Sequence, residues 1–196
     1  MTYSRLITTN ESLDRILSRL ADNRTLIVVD KLDYQGLPAA HQALVQVGDQ
    51  YIEHIQQVKE SYSYDKVIAI GGCTALDFGR ACAIGKTLIV IPTLLSNACL
   101  STNRSVINYS GIYHTEVTTA PSQTIVSLPE VMSRHARGEK YKWLASGFGD
   151  LFSALSASIE FEYKQNGRSL EKVNINQVIA NIPLCSGYLS ILLPKI

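Results

Sequence analysis

Charge of one sign, paired cysteines, clustered histidines and long apolar runs are all missing from this 196-residue chain. Lys plus Arg number 18 against 17 Asp plus Glu, which gives no electrostatic case for a nucleic acid or other polyanion as partner. Charged residues make up only 18% of the chain, while the hydrophobic share of 46% is ample for a packed core. The cysteines (Cys73, Cys82, Cys99, Cys185) form no CxxC pair and show no metal spacing, as expected of scattered reduced thiols in a cytoplasmic protein. The histidines His41, His54, His114 and His135 contain no HxxxH or HxH spacing, so each reads as a surface or hairpin residue rather than a metal ligand. The N-terminus, MTYSRLITTNESLDR, is too polar for a signal peptide, and no apolar stretch approaches the roughly 20 residues that span a bilayer. The expectation is a soluble, cytoplasmic protein without membrane or nucleic-acid partners.

What is present begins with residues 67–77, VIAIGGCTALD. A short apolar run, Val67 to Ile70, breaks at Gly71-Gly72, and a helical pattern follows at once. A buried strand that turns into a helix through glycines presents unpaired backbone N–H groups at the positive end of the helix dipole. That is a ready place for a phosphate or pyrophosphate.

Around this turn the chain alternates. Asn10 is a candidate N-cap for a helix carrying Leu13, Ile16, Leu17 and Leu20 on one face. Thr25–Asp30 reads as a buried strand ending on an acidic residue, and residues 36–60 read as largely helical with a break near Gly48. A helix is predicted from about Thr74 to Ile84, then an apolar strand from Thr87 to Ile91 stopped by Pro92. Such alternation predicts a doubly wound parallel sheet, whose ligands sit at the carboxyl ends of the strands. Asp30, Gly71-Gly72 and Thr93 should therefore share one rim. Ser105–Tyr109 and Ile112–Thr118, joined at Ser110-Gly111, read as a β-hairpin, and Thr124–Leu128 as a last strand before Pro129. From Tyr141 onward the pattern is helical. The division predicted is an α/β dinucleotide-binding domain over residues 1–138 and a partial, all-helical domain over 139–196.

Three segments together give a resemblance. GGCTALDFGR (71–80) looks like a glycine-rich turn with its downstream acidic residue, IPTLLSNACLSTNRSVI (91–107) is similar to a Pro-Thr loop reaching over a nicotinamide, and ASGFGDLFSALSASIEFEY (145–163) is similar to a Gly-x-Gly-Asp helix start. In order and spacing these resemble the iron-containing alcohol dehydrogenase and glycerol dehydrogenase superfamily, which also holds 3-dehydroquinate synthase. Ser96-Asn97 and the run Gly147 to Asp150 lean toward the sn-glycerol-1-phosphate and glycerol dehydrogenase branch.

The resemblance implies NAD- or NADP-linked oxidation of a small polyol or polyol phosphate, with a Zn or Fe ion polarising the alcohol oxygen. Carried onto this sequence, Gly71, Gly72 and Thr74 would cradle the pyrophosphate and Asp30 would bind the adenosine ribose. Thr93, Ser96 and Thr102 would contact the cofactor, and Asp150 would bind the metal. Asp77 would cap or orient the glycine loop, or sit near the substrate. Departures accompany the match. Cys73 stands where the family has a third glycine, Ala98 where it has a substrate-binding aspartate, and Arg80 where it has a lysine, and the interval from Asp30 to Lys66 is short, as if one βα unit were trimmed.

No histidine follows Asp150, where the family places two metal ligands, so the chain reads as a shortened member. Asp150 could equally cap the helix that begins at Leu151. The run Arg134, Arg137, Lys140, Lys142 reads as a solvated connector, and the apolar tail Leu189–Leu193 as a helix-packing or partner-facing surface that admits a homo-oligomer. Two classes compete. One is a metal-assisted polyol dehydrogenase, with a 3-dehydroquinate synthase-like lyase as a variant. The other is a non-catalytic relative that keeps a nucleotide-binding fold.

Overall fold

The computed structural model describes residues 5–30, 43–94 and 102–135, together with residues 149, 153, 156, 157, 159–165 and 167. Its elements in chain order are β1 (Arg5–Thr9), α1 (Leu13–Leu20), β2 (Thr25–Asp30), β3 (Leu44–Val47), α2 (Ile52–Ser61), β4 (Lys66–Gly71), α3 (Cys73–Cys82), β5 (Thr87–Pro92), β6 (Arg104–Tyr109), β7 (Ile112–Val117), β8 (Gln123–Ser127) and α4 (Leu128–His135). Beyond α4, residues 153, 156, 157 and 159–165 are helical, and Ile159 packs against the core.

Six strands form one sheet in the order β1-β8-β5-β4-β2-β3, and every pairing is parallel. The expected α/β class is found. Period-two side-chain direction divides its core. Leu26, Val28, Val67, Ala69, Leu88, Val90 and Val126 face α2, α3 and α4, while Ile27, Val29, Ile68, Ile70, Ile89, Ile91 and Ile125 share a second cluster with Leu13, Ile16 and Leu17 of α1. Burial on both faces explains why these strands read as continuous apolar runs.

The order of the sheet matters for the site. From β2 the chain steps outward to β3 and then returns to β4 on the other side of β2. The gap between β2 and β4 is thus a topological switch point, where open parallel sheets place ligands.

Helix α3 lies unusually close to β4. A Cβ on Gly79 would fall 2.4 Å from the Cβ of Ala69, so only glycine admits this approach. The hairpin β6–β7 closes on Ser110 (φ 52°) and Gly111 (φ 93°), both left-handed as a two-residue turn requires, and the Asn108 side chain accepts from the Gly111 N–H at 2.7 Å.

Three expectations need correction, and one strand was not anticipated. Arg5–Thr9, for which no element was predicted, is an edge strand on β8. Helix α1 is capped by Ser12 and not Asn10: the Ser12 hydroxyl accepts from the Arg15 N–H. Within 36–60, where helix was predicted, Leu44–Val47 forms β3, with alternating Val45 and Val47 buried against β2, and α2 follows, so the interval from Asp30 to Lys66 contains a βα unit; residues 36–42 lie outside the described residues. The strand predicted over Thr124–Leu128 ends at Ser127, and Leu128 opens α4 with Pro129 in its first turn, where the missing N–H costs nothing.

Candidate dinucleotide site at the switch point

The rim is built around one backbone feature. Gly71, the last residue of β4, has φ +141°, and a Cβ there would lie 2.9 Å from the Asp30 Cβ and 3.0 Å from the Ala75 Cβ. Gly71 is therefore required by the fold itself. Gly72 is different. Its φ of −86° suits any residue, and a Cβ would meet only Leu94 Cδ1 at 3.5 Å and the Asp30 carboxylate oxygen Oδ2 at 3.9 Å. Nothing in the packing demands a glycine at position 72. What its missing side chain leaves is an approach to the helix start beside Asp30.

Gly72 is also the N-cap of α3, and it offers no side chain to the first-turn N–H groups; no acidic residue lies in that turn. Helix α1 shows the contrast, with a Ser12 cap and Asp14 in its first turn. The N-cap residue itself thus supplies nothing to the positive end of α3, which opens beside the Asp30 carboxylate.

Thr93 closes the third side. It follows β5 directly, its N–H donates to the Gly71 carbonyl at 3.0 Å, and its side-chain hydroxyl is buried without a hydrogen-bond partner among the described residues. A buried hydroxyl without a partner among the described residues, beside this helix start, is a group that a ligand atom could pair with. Asp30, Gly71, Gly72 and Thr93 therefore meet on one rim, across the adjacent strands β2, β4 and β5. Thr74 lies half-buried at the second position of α3.

Asp77 and Arg80 point elsewhere. Both are buried within α3. Arg80 Nη1 donates to Asp77 Oδ1 at 3.0 Å, and Asp77 Oδ2 accepts the Val106 N–H of β6 at 3.2 Å. Arg80 Nε donates to the Thr102 carbonyl at 3.1 Å, and its Nη2 has no partner among the described residues. Burial pushes the Asp77 carboxyl above its ordinary range, against the opposing pull of the Val106 N–H and the Arg80 guanidinium. Sequence reasoning treated Arg80 as a mild replacement. The available signal was its i,i+3 spacing from Asp77 on a helix whose intervening residues are Phe78 and Gly79.

Ser96, Ala98 and Asp150 lie outside the described residues. Among those described, no group of three or more His, Cys, Asp and Glu could hold a metal ion. His54 packs edge-on against Phe78 at 4.9 Å, and His114 against Tyr109 at 5.4 Å, on different elements. Among the described residues the start of α3 is thus open to an anion, and no metal-ligating group is assembled. A separate cavity of about 280 Å³ lies between β3 and α2, lined by Val45, His54, Gln57 and Tyr62 among others. None of the described helices is long and apolar enough to cross a membrane.

No family model matches the chain, and no curated protein matches it. Solved structures do. A probable glycerol dehydrogenase from Sinorhizobium meliloti aligns at 21% identity and a TM-score of 0.63, covering 84% of this chain and 47% of that one. A sulfoacetaldehyde reductase from Bifidobacterium kashiwanohense, in complex with NAD+, aligns at 14% identity and a TM-score of 0.65, covering 95% and 65%. An iron-containing alcohol dehydrogenase aligns at 14% and 0.62, covering 97% and 68%. At these identities it is the fold that is shared, and it is the fold the sequence resemblance pointed to. The chain spans about half to two thirds of the length of these structures.

Proposed function

We propose that this chain binds a nicotinamide dinucleotide across the switch point and serves NAD-linked oxidoreduction of a small alcohol or polyol. The observation that carries the reading is the convergence on one rim of a helix start whose N-cap residue offers no side chain, the Asp30 carboxylate and a buried Thr93 hydroxyl without a partner among the described residues. Asp30 ends the strand beside the glycine turn, where a carboxylate accepts from the ribose hydroxyls and repels a 2′-phosphate, so NAD is favoured over NADP. The pyrophosphate would rest on the first turn of α3, with Thr74 and Thr93 as hydroxyl donors, and Thr102 and Ser96 would contact the cofactor further along. The nicotinamide supplies hydride acceptance when bound. The fold shared with dehydrogenases and a reductase, one of them in complex with NAD+, supports the class of chemistry.

A second reading, a nucleotide-binding relative without catalysis, rests on the sequence: no histidine follows Asp150, where the family it resembles places two metal ligands. A metal step is therefore not assigned to this chain, and Asp150 stays a proposed ligand only.

The test is calorimetric titration of the purified chain with NAD+ and NADP+, beside Gly72→Val. Binding of NAD+ that is lost in Gly72→Val, while the variant melts like the parent, supports the site. Equal affinities in the two proteins would show that the glycine turn holds no phosphate.

A further inference from the structure

The hairpin β6–β7 has one edge closed and one open. On β6 the N–H groups that point away from β7 have partners: Val106 donates to Asp77 Oδ2 at 3.2 Å, Asn108 to the Gln50 carbonyl at 3.0 Å and Arg104 to Thr102 Oγ1 at 3.1 Å. On β7 the Thr118 N–H donates to the Asn103 carbonyl at 2.7 Å. Counting back in twos from there, Glu116, His114 and Ile112 turn their main-chain groups toward β6. The N–H and C=O groups of Tyr113, Thr115 and Val117 therefore face away from it, and none has a partner among the described residues. Natural sheets blunt such an edge with lysine, proline or a bulge. Strand β7, IYHTEV, has no lysine or proline and pairs with β6 in unbroken register. Its apolar residues lie in the open, with Ile112, Tyr113 and Val117 at 64%, 56% and 65% exposure.

The sequence of β7 is complementary to itself in the antiparallel direction. With Thr115 facing Thr115 of a second copy across a two-fold axis, Tyr113 stands opposite Val117 and His114 opposite Glu116 on both sides of the axis. An aromatic ring against a β-branched side chain, and Thr against Thr, are favourable cross-strand pairs. An imidazole N–H opposite a carboxylate is a donor facing an acceptor. The same register brings the outward main-chain groups of Tyr113, Thr115 and Val117 onto those of the second copy. Sliding by one pair in either direction would instead oppose His114 to His114 or Glu116 to Glu116, so charge complementarity selects this register. Val106, beside Thr115 on the same face as Tyr113 and Val117, is 38% exposed and extends the apolar strip. Because the outer edge of β6 is already occupied, pairing through β7 closes at two copies and does not propagate. We infer that β7 is a homodimer interface, at which two copies of this chain join their hairpins into one sheet by antiparallel pairing centred on Thr115.

The experiment is sedimentation equilibrium of the full chain and of T115P, H114E, E116K and H114E/E116K, each checked for folding by its urea midpoint. A strip of this size sits at the low end of specific interfaces, so the parent chain should show a reversible monomer–dimer equilibrium with a Kd of about micromolar order. T115P removes the central outward N–H, which the β6 ladder does not use, and should leave a folded monomer. H114E places a carboxylate opposite Glu116, and E116K places an ammonium opposite His114. Each should weaken the dimer roughly three- to thirtyfold, since the pair occurs on both sides of the axis. The double variant sets opposite charges across the axis again and should return to within about threefold of the parent. If T115P fails to fold, the charge cycle decides alone. A parent chain that stays monomeric at its highest soluble concentration would overturn the inference. So would a dimer unmoved by folded T115P, held through another face such as the apolar tail, or a double variant as weak as its single variants.

Discussion

Two adjacent glycines at the end of β4 look alike in sequence and do different work. Gly71 holds a positive φ and has no room for a Cβ against Asp30 and Ala75, whereas Gly72 has ordinary geometry and room. Gly71→Ala is expected to destabilise the fold by roughly 2–4 kcal/mol, from backbone strain plus overpacking, read as a lower urea midpoint. Gly72→Val should leave that midpoint near the parent value and abolish dinucleotide binding. Cys73 adds a contrast at the next position: it is half-exposed at the first residue of α3, and if its side chain narrows the approach to a pyrophosphate, Cys73→Gly should tighten binding. If Gly71→Ala proves neutral in urea, the division of labour between the two glycines is wrong. The pair was legible in the sequence as a glycine turn from strand to helix, but the separate duties were not, because φ and Cβ clearance depend on Asp30, a residue 41 positions away whose approach only the sheet establishes.

At the scale of elements, the strands buried on both faces were the readable ones. β2, β4 and β5 were found nearly to the residue because continuous Val, Ile and Leu runs have no other common explanation. β1 and β3 were missed for the converse reason. Each lies at an edge of the sheet as described, is short, and carries polar residues outward, so its pattern is weak beside neighbouring helical periodicity. The rim residues followed from the readable strands, whereas the Arg80 tie to Thr102 joins elements whose contact no local pattern announces. The seating of α3 on β4 gives a direct test. Gly79→Ala places a methyl into Ala69 and should cost about 1–3 kcal/mol in urea unfolding. Adding Ala69→Gly should recover part of that loss, since it removes the opposing Cβ. No recovery would mean that α3 shifts as a body rather than clashing at one contact.

For the whole molecule the question is whether binding and chemistry reside together. The groups proposed for the dinucleotide come from β2, β4, α3 and the residue after β5, all within the described sheet and its first layer of helices. Among the described residues nothing comparable assembles for a Lewis acid. His54 and His114 are held edge-on against Phe78 and Tyr109 on separate elements, and Asp150 is the one ligand that the sequence resemblance proposes. Zinc sites use about three or four converging protein ligands. The purified chain is therefore expected to retain less than one Zn or Fe per molecule after dialysis, by elemental analysis, and to bind NAD+ with the same affinity before and after treatment with a chelator. Without a fixed metal an alcohol keeps a pKa near that of bulk water, so hydride transfer lacks the activated alkoxide that metal binding would supply. NADH absorbance should then stay flat with glycerol, glycerol phosphates or dihydroxyacetone phosphate, with or without added Zn or Fe, even while NAD+ remains bound. Turnover that vanishes in Asp150→Ala would reverse this conclusion: it would place a working metal ligand at residue 150 and make the chain a complete dehydrogenase rather than a dinucleotide-binding unit.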